Sequence, residues 1–533
     1  MTDSLSFFFT FEASKQPMEK AHLSMVQKGV LMGLFLIFLI VTAISYDDYG
    51  IAWDEPNQKE IGKFNYDYLM GTSDSLKQYH DRYYGAAYEM PVYALTKFFN
   101  LENTPSEYHF RHLINHLLFI LSLAFFFALL FKLFQKFQTA IFGILILYLH
   151  PRIFAHSFFN SKDLVFLSFF IIGLYTLFLV FESQTKKRIL LHALVTAFLI
   201  DIRIIGIILP FISLLVMLPN LFKASEYRKQ SLKSLALYSI LSILFIYLFW
   251  PALWTDPFLL GKSFLRMSHF PFRYDVLFQG ALIPATQIPW SYIPVWIGIS
   301  TPPFILLFII LGFVWLIRDY IKNPEGAFFT NNQWFILVVA TFPIDFSILL
   351  IIINSTLYDG WRQVFFLYPM VLFAGIYAFH HLMKKLENKR FWKIFTYTLI
   401  SVFIILTVKK IIYLHPYEQV YFNHFVSKKD ENRRESFEMD YWGLSYREGI
   451  AYVLNHDNSK RISICFANAA GENNLLYFSE EEQAIIIIKE KAEMADYFIT
   501  NYRYHPENYK YTNEVFKVER DENHILSVFK MTK

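Results

Sequence analysis

Long apolar runs separated by short polar connections dominate residues 29–413. Crossing roughly 30 Å of hydrocarbon takes about 20 apolar residues. Runs of that order stand near 29–46, 112–135, 163–182, 233–250, 294–317, 334–353, 363–383 and 394–413. Two further stretches are too long for one upright pass at about 1.5 Å per residue. Residues 189–222 lie between the basic clusters Lys186-Lys187-Arg188 and Lys223, Arg228, Lys229 and Lys233, and their one polar break is "DIR", Asp201-Ile202-Arg203. Residues 138–182 follow Lys132 and Lys136 and break at "HPRIFAHSFFNSKD", His150–Asp163. Basic residues collect in the inner loops of membrane proteins, so each stretch is expected to be a hairpin with its polar apex on the opposite face. About eleven spans follow, with an inward lead over 1–28, a membrane domain over 29–413 and outer loops over 47–111 and 251–293.

From residue 414 the apolar runs shorten and charges become frequent. "RISICF", "AIIIIKE" and "EVFKVERDENHILSVF" have strand character, the last as a hairpin turning at Asp521–Asn523. Residues 414–533 are therefore expected to form a small extracytoplasmic α/β domain on an all-α polytopic membrane protein.

Composition agrees. The chain is 55% hydrophobic, with 59 Phe among 533 residues and a net charge of +4, too small to imply a nucleic-acid partner. One cysteine, Cys465, excludes an internal disulfide framework and a CxxC metal site. The polar lead before Gly29 is longer and less basic than a secretory signal, so Gly29–Tyr46 is taken as an uncleaved first span. The expected setting is a bacterial inner membrane, with the bilayer itself as the first partner.

Five polar clusters then share the outer face: 47–111, 150–163, 201–203, 251–293 and 354–362. The first span ends in "ISYDDYGIAWDEPNQKE", four carboxylates before any basic residue. Asp54-Glu55-Pro56 would suit the start of a helix, with Asp54 as its cap. Alternatively Tyr49 and Trp53 hold these acids at headgroup level, where a carboxylate needs a cation or a proton to handle. Asp54 or Glu55 is then a candidate general base. Glu89 stands in the Tyr-rich "RYYGAAYEMPVYALTKFF", which suits an interfacial helix or contact with a sugar or polyprenyl chain. The 150–163 apex carries Arg152, His156, Lys162 and Asp163, more cations than a turn requires and suited to phosphate. Asp163 heads a span, where an acid also favours the helix dipole. Arg203 either pairs with Asp201 or meets a lipid phosphate, and Tyr358 and Arg362 in "LYDGWRQVFFLYP" repeat the situation. His112 and His116 have i,i+4 spacing without an HExxH glutamate and are expected to make interhelical hydrogen bonds. A divalent metal is possible chemistry for the acids, with no ligand set assigned.

In order, "WDEP", "YEMPVYALTKFF", "NSKD" and "DIRIIG" resemble the GT-C fold glycosyltransferases, in particular the branch of protein O-mannosyltransferases and lipid A aminoarabinose transferases. The resemblance covers roughly residues 30–380. It implies a GT-C-like helical fold and transfer of a hexose or pentose from a polyprenyl-phosphate sugar to an acceptor glycan, lipid or protein. It also implies Asp54 as base or acceptor-binding acid, Glu89 as a second acid, Asp163 as an acid near the donor and Arg203 as the phosphate contact. Single displacement with inversion is expected. The competing reading is a multi-span transporter or flippase, although transporters place charges near the midplane of broken helices, whereas here they gather at span ends. A third is a scaffold whose C-terminal domain binds a partner.

Overall fold

The computed structural model describes residues 22–531 except 223–224, 269, 271, 323–330 and 427–432. Most of the N-terminal lead, residues 1–21, and the basic residue Lys223 lie outside the described residues. Among the described residues, nine helices are long and apolar enough to cross a membrane: Met25–Ser45, Pro105–Phe134, Asp163–Glu182, Ile204–Leu221, Ser225–Phe249, Pro303–Lys322, Asn332–Ile352, Arg362–Lys385 and Arg390–Leu414. Phe137–Tyr148 and Pro151–Phe159 make a tenth only as a pair bent by 67°. The chain is a multi-pass membrane protein.

The difference from eleven has two physical sources. Lys186–Ile202, the expected first arm of the second hairpin, is a helix of 17 residues beginning on three basic side chains, which leaves a short apolar stretch. The first hairpin turns at a sharp break rather than a polar loop: Pro151 starts the new helix, and His150 caps it by accepting from the Ile153 amide. The run at 294–317 is also divided, into Tyr292–Ser300 and Pro303–Lys322, at the pair Pro302-Pro303.

The long first loop folds into two helices packed on each other, α1 (Glu55–Leu69) and α2 (Glu89–Phe98). Gly62 permits the contact, since a Cβ there would stand 2.4 Å from the Glu89 carbonyl oxygen. The second long loop contains a hairpin not expected from the sequence, β1 (Asp275–Phe278) with β2 (Ala281–Pro284). It docks on the C-terminal region through the Gly280 amide, which donates to the Ser436 carbonyl at 3.1 Å.

The C-terminal part closes on a five-stranded mixed sheet, β3 (Ile462–Phe466), β4 (Ile486–Ile488), β5 (Tyr497–Thr500), β6 (Glu514–Arg520) and β7 (Asn523–Lys530), in the order β4-β3-β5-β7-β6. Asp521 and Glu522 turn the β6–β7 hairpin with φ of 54° and 62°, the left-handed conformation that two-residue hairpin turns need. Residues 415–426 and 433–445 run back into the helical part, and Tyr417, Phe437, Tyr441 and Trp442 share one apolar core with the spans.

His415 ties this junction together. Its Nε2 stands 2.8 Å from Asp48 and its Nδ1 2.8 Å from Glu418, which also accepts from the Tyr49 hydroxyl at 3.1 Å. Burial alone would lower the imidazole pKa, but the two carboxylates raise it to about 9. A histidine held charged in the fold adds stability that is complete below its ordinary value of 6.5 and is lost as pH rises through about 9. The thermal stability of the wild type is therefore expected to fall from pH 7 to pH 10, and His415→Gln is expected to be less stable at pH 6 with a flatter profile. An unchanged profile in the variant would remove His415 from this role.

Candidate functional site

The helix α1 starts on Glu55, but the Asp54 side chain makes no capping hydrogen bond. It turns instead to two cations: Lys162 Nζ at 3.3 Å and Arg362 Nη2 at 3.8 Å. Arg362 also reaches Asp163 at 2.9 Å and Asp359 at 2.9 Å, and Arg203 pairs with the other oxygen of Asp163. Six residues from four separate segments, Asp54, Lys162, Asp163, Arg203, Tyr358 and Arg362, therefore meet in one cluster. Tyr358 lies against it with its ring 5.1 Å from the Arg362 guanidinium.

Local sequence explains the convergence. Asn160 accepts from the amides of Lys162 and Asp163 at 3.3 and 2.8 Å, so "NSKD" folds into a turn that sends Lys162 and Asp163 the same way. Asp201 does not pair with Arg203. It is buried and accepts from the Ala87 amide at 3.2 Å, while its carbonyl accepts from Gly85 at 3.0 Å. Arg203 is freed for Asp163 and the Gln363 carbonyl. Gly85 fits only because it lacks a side chain, since a Cβ would stand 1.6 Å from Asp201. That close approach sets Tyr84, whose ring lies 5.1 Å from the Lys162 ammonium.

The accessible member is Asp54, whose side chain is 28% exposed against 0% for Asp163 and 3% for Arg362. Burial pushes the Asp54 carboxyl up, but Lys162 and Arg362 outweigh it and hold the pKa below the usual carboxylate range. Burial opposes charge on Lys162, yet Tyr84 and Asp54 raise it above the usual lysine range. The cluster is thus a charged, hydrogen-bonded set at one end of the bundle, with a reachable carboxylate in front of buried cations.

Other residues singled out from sequence are placed elsewhere. Glu55 is buried, accepts from the Ala52 amide at 2.8 Å and meets His112 at 3.1 Å. Glu89 is buried between Arg111 at 2.5 Å and the Ser161 hydroxyl at 2.7 Å. These two acids brace α1 and α2 against the second span. His116 meets Ser157 at 2.7 Å, so both His112 and His116 of that span face neighbouring elements. Arg152 is enclosed by Trp296 and Phe422, at 4.9 and 4.7 Å, and donates to the Tyr421 carbonyl. His156 stands behind the cluster, 3.1 Å from Asn160 and 3.1 Å from the Tyr441 hydroxyl.

Three residues of this neighbourhood escaped sequence reasoning as site candidates. Asp359 links Arg362 to Arg503, which it meets at 2.8 Å. Arg503 lies 4.7 Å from the Trp53 ring, beside Asp54 in sequence. Trp442 covers the Arg362 guanidinium at 4.5 Å. Only Asp359, next to Tyr358, carried a signal in the sequence. Among the described residues no three His, Cys, Asp or Glu side chains converge as a metal-holding group. Asp54, Asp163 and Asp359 each face cations, so the residues present do not fit a divalent ion.

No family model matches the chain, and no curated protein matches it. Among solved structures it is similar to the archaeal oligosaccharyltransferase AglB from Archaeoglobus fulgidus, in complex with an inhibitory peptide and a dolichol-phosphate. That likeness has a TM-score of 0.53 and 9% identity, and covers 90% of this chain and 70% of that one. The apo form of an oligosaccharyltransferase from the same organism aligns over 85% of this chain and 64% of that one, with 9% identity and a TM-score of 0.48. At such identity the likeness concerns the path of the chain, and it agrees with the ordered motifs in the sequence: this protein has the GT-C fold.

Proposed function

We propose that the protein is a glycosyltransferase that moves a sugar from a polyprenyl-phosphate donor to an acceptor on the extracytoplasmic face of a plasma membrane, bacterial by the sequence resemblance. The observation that carries this reading is the cluster itself, a partly exposed carboxylate set against Lys162, Arg203 and Arg362 at the end of a helical bundle. The solved structure similar to this chain holds a dolichol-phosphate, which supports a lipid-linked phosphate as the donor class.

The chemistry follows from charge. The donor phosphate takes over part of the cations' pairing, and the bond from the anomeric carbon to phosphate oxygen lengthens as negative charge grows on that oxygen. Asp54 loses counter-charge as this happens and becomes a stronger base. It takes the proton of the acceptor hydroxyl while that oxygen bonds the anomeric carbon, and the polyprenyl phosphate departs paired with Arg203 and Lys162. One displacement inverts the anomeric configuration. No step runs through a metal ion.

Arg203→Ala tests the phosphate role. Membranes carrying the variant are expected to lose about 10²-fold in transfer from radiolabelled polyprenyl-phosphate hexoses and pentoses, at unchanged protein level. Wild-type transfer with retained configuration would contradict the single displacement, and full activity of the variant would remove Arg203 from the site.

A further inference from the structure

A cleft opens beside the cluster, between the β1–β2 hairpin and the C-terminal region. Its walls include Asp275, Arg434, Glu438, Asp440, Arg503 and Tyr504, and it is a shallow cleft open to solvent that encloses about 30 Å³. We infer that this cleft is a saccharide-binding subsite, a shallow seat for the edge of a hydroxyl-rich sugar ring beside Asp54.

Continuity with the cluster is the first support. Arg503 meets Asp359, Asp359 meets Arg362 and Arg362 faces Asp54, at 2.8, 2.9 and 3.8 Å. The second is an unused donor. The Arg503 side chain is only 8% exposed, yet among the described residues its Nε has no hydrogen-bond partner, a costly arrangement that a ligand hydroxyl would relieve. The third is the balance of groups. Three acids against two arginines disfavour a phosphate, and the arginines are engaged already: Arg434 with the Pro506 carbonyl at 2.8 Å, Arg503 with Asp359. Carboxyls suit hydroxyl groups, which both donate and accept. Burial, then the charge of Asp359, pushes the Glu438 carboxyl up to about 8, so at neutral pH it offers a donor as well as an acceptor. Tyr504 and Tyr274 stack at 4.4 Å, and both stay exposed, by 37% and 54%, as an aromatic rim. Such a rim meets the apolar face of a pyranose while the polar wall meets its edge.

This inference deepens the proposed transfer reaction and rests on it for the choice between two sources of the sugar, the acceptor glycan and the sugar borne by the donor. Binding itself is tested without turnover. Full-length protein in lipid nanodiscs is titrated with chitobiose, mannobiose and lactose, followed by saturation-transfer NMR, with a neutral Ser/Thr-containing hexapeptide alongside. At least one disaccharide is expected to bind, about tenfold more weakly in Glu438→Gln and in Tyr274→Ala. Tyr274 is a rim residue outside the apolar core, so its loss leaves the fold intact. Displacement by a polyprenyl-phosphate hexose but not by bare polyprenyl phosphate assigns the subsite to the donor sugar, and no displacement by either assigns it to the acceptor. Binding of the peptide alone, or disaccharide binding unchanged in both variants, overturns the inference. Disaccharide binding without any transfer would sustain it while the transferase reading fails.

Discussion

Asp54→Asn is expected to lower sugar transfer by about 10²- to 10⁴-fold, with little change in protein level. The amide keeps the size and part of the hydrogen-bonding capacity of Asp54 while removing the charge that can accept a proton. Its side chain caps no helix and is 28% exposed, so the fold does not lean on it. Glu55→Gln serves as the contrasting control. Glu55 holds the Ala52 amide and His112 in a buried pocket, so its loss is expected to appear in stability and expression ahead of turnover. The pH profile gives a second handle. Lys162 and Arg362 hold the free-enzyme Asp54 below the usual carboxylate range, so kcat/KM in wild type is expected to stay level well into mildly acidic pH. An acid limb that remains in Asp54→Asn at unchanged rate would assign the base elsewhere.

Arg362→Ala carries the largest expected effect on the folded protein. The side chain is 3% exposed and contacts Asp163 and Asp359 at 2.9 Å each, with Trp442 over its plane. Removing it leaves two buried carboxylates short of a counter-charge, which in protein interiors costs about 3–5 kcal/mol. The expected result is a marked fall in the thermal unfolding midpoint and in the yield of monodisperse protein. Arg362→Lys restores only part, because an ammonium cannot serve two carboxylates with a planar fork. Adding Asp163→Asn to Arg362→Ala should recover some stability, since one stranded charge disappears; additive losses would show that the two side chains do not interact.

The sequence exposed much of this arrangement because membrane constraints are local. Hydropathy marks spans, and Lys186-Lys187-Arg188 marks a span boundary whether or not the helix after it reaches full length. The motif "NSKD" was legible as a turn that presents two adjacent charges at a span end. What stayed hidden depends on long-range packing. Nothing near Arg203 tells that Asp201 is spent on the Gly85–Ala87 backbone, so the choice between ion pair and free cation could not be made. Arg503 lies 449 positions from Asp54, just after β5, a strand that was not among those expected from the sequence. Glu55 and Glu89 looked equivalent to Asp54 as loop acids, and only burial against His112 and Arg111 separates them. The hairpin β1–β2 lacked the Asn-Gly type of turn signal, having Gln279-Gly280 instead.

The central claim is best tested with purified protein in detergent, where no sealed compartment exists. Wild type is incubated with a radiolabelled polyprenyl-phosphate hexose or pentose and an extract of bacterial glycans and glycolipids, beside Asp54→Asn. The account predicts label moving from the lipid phosphate to an acceptor in the wild type and not in the variant. Intact donor in both, together with protein-dependent movement of that lipid between leaflets once the protein is placed in vesicles, would contradict it and make the chain a transporter.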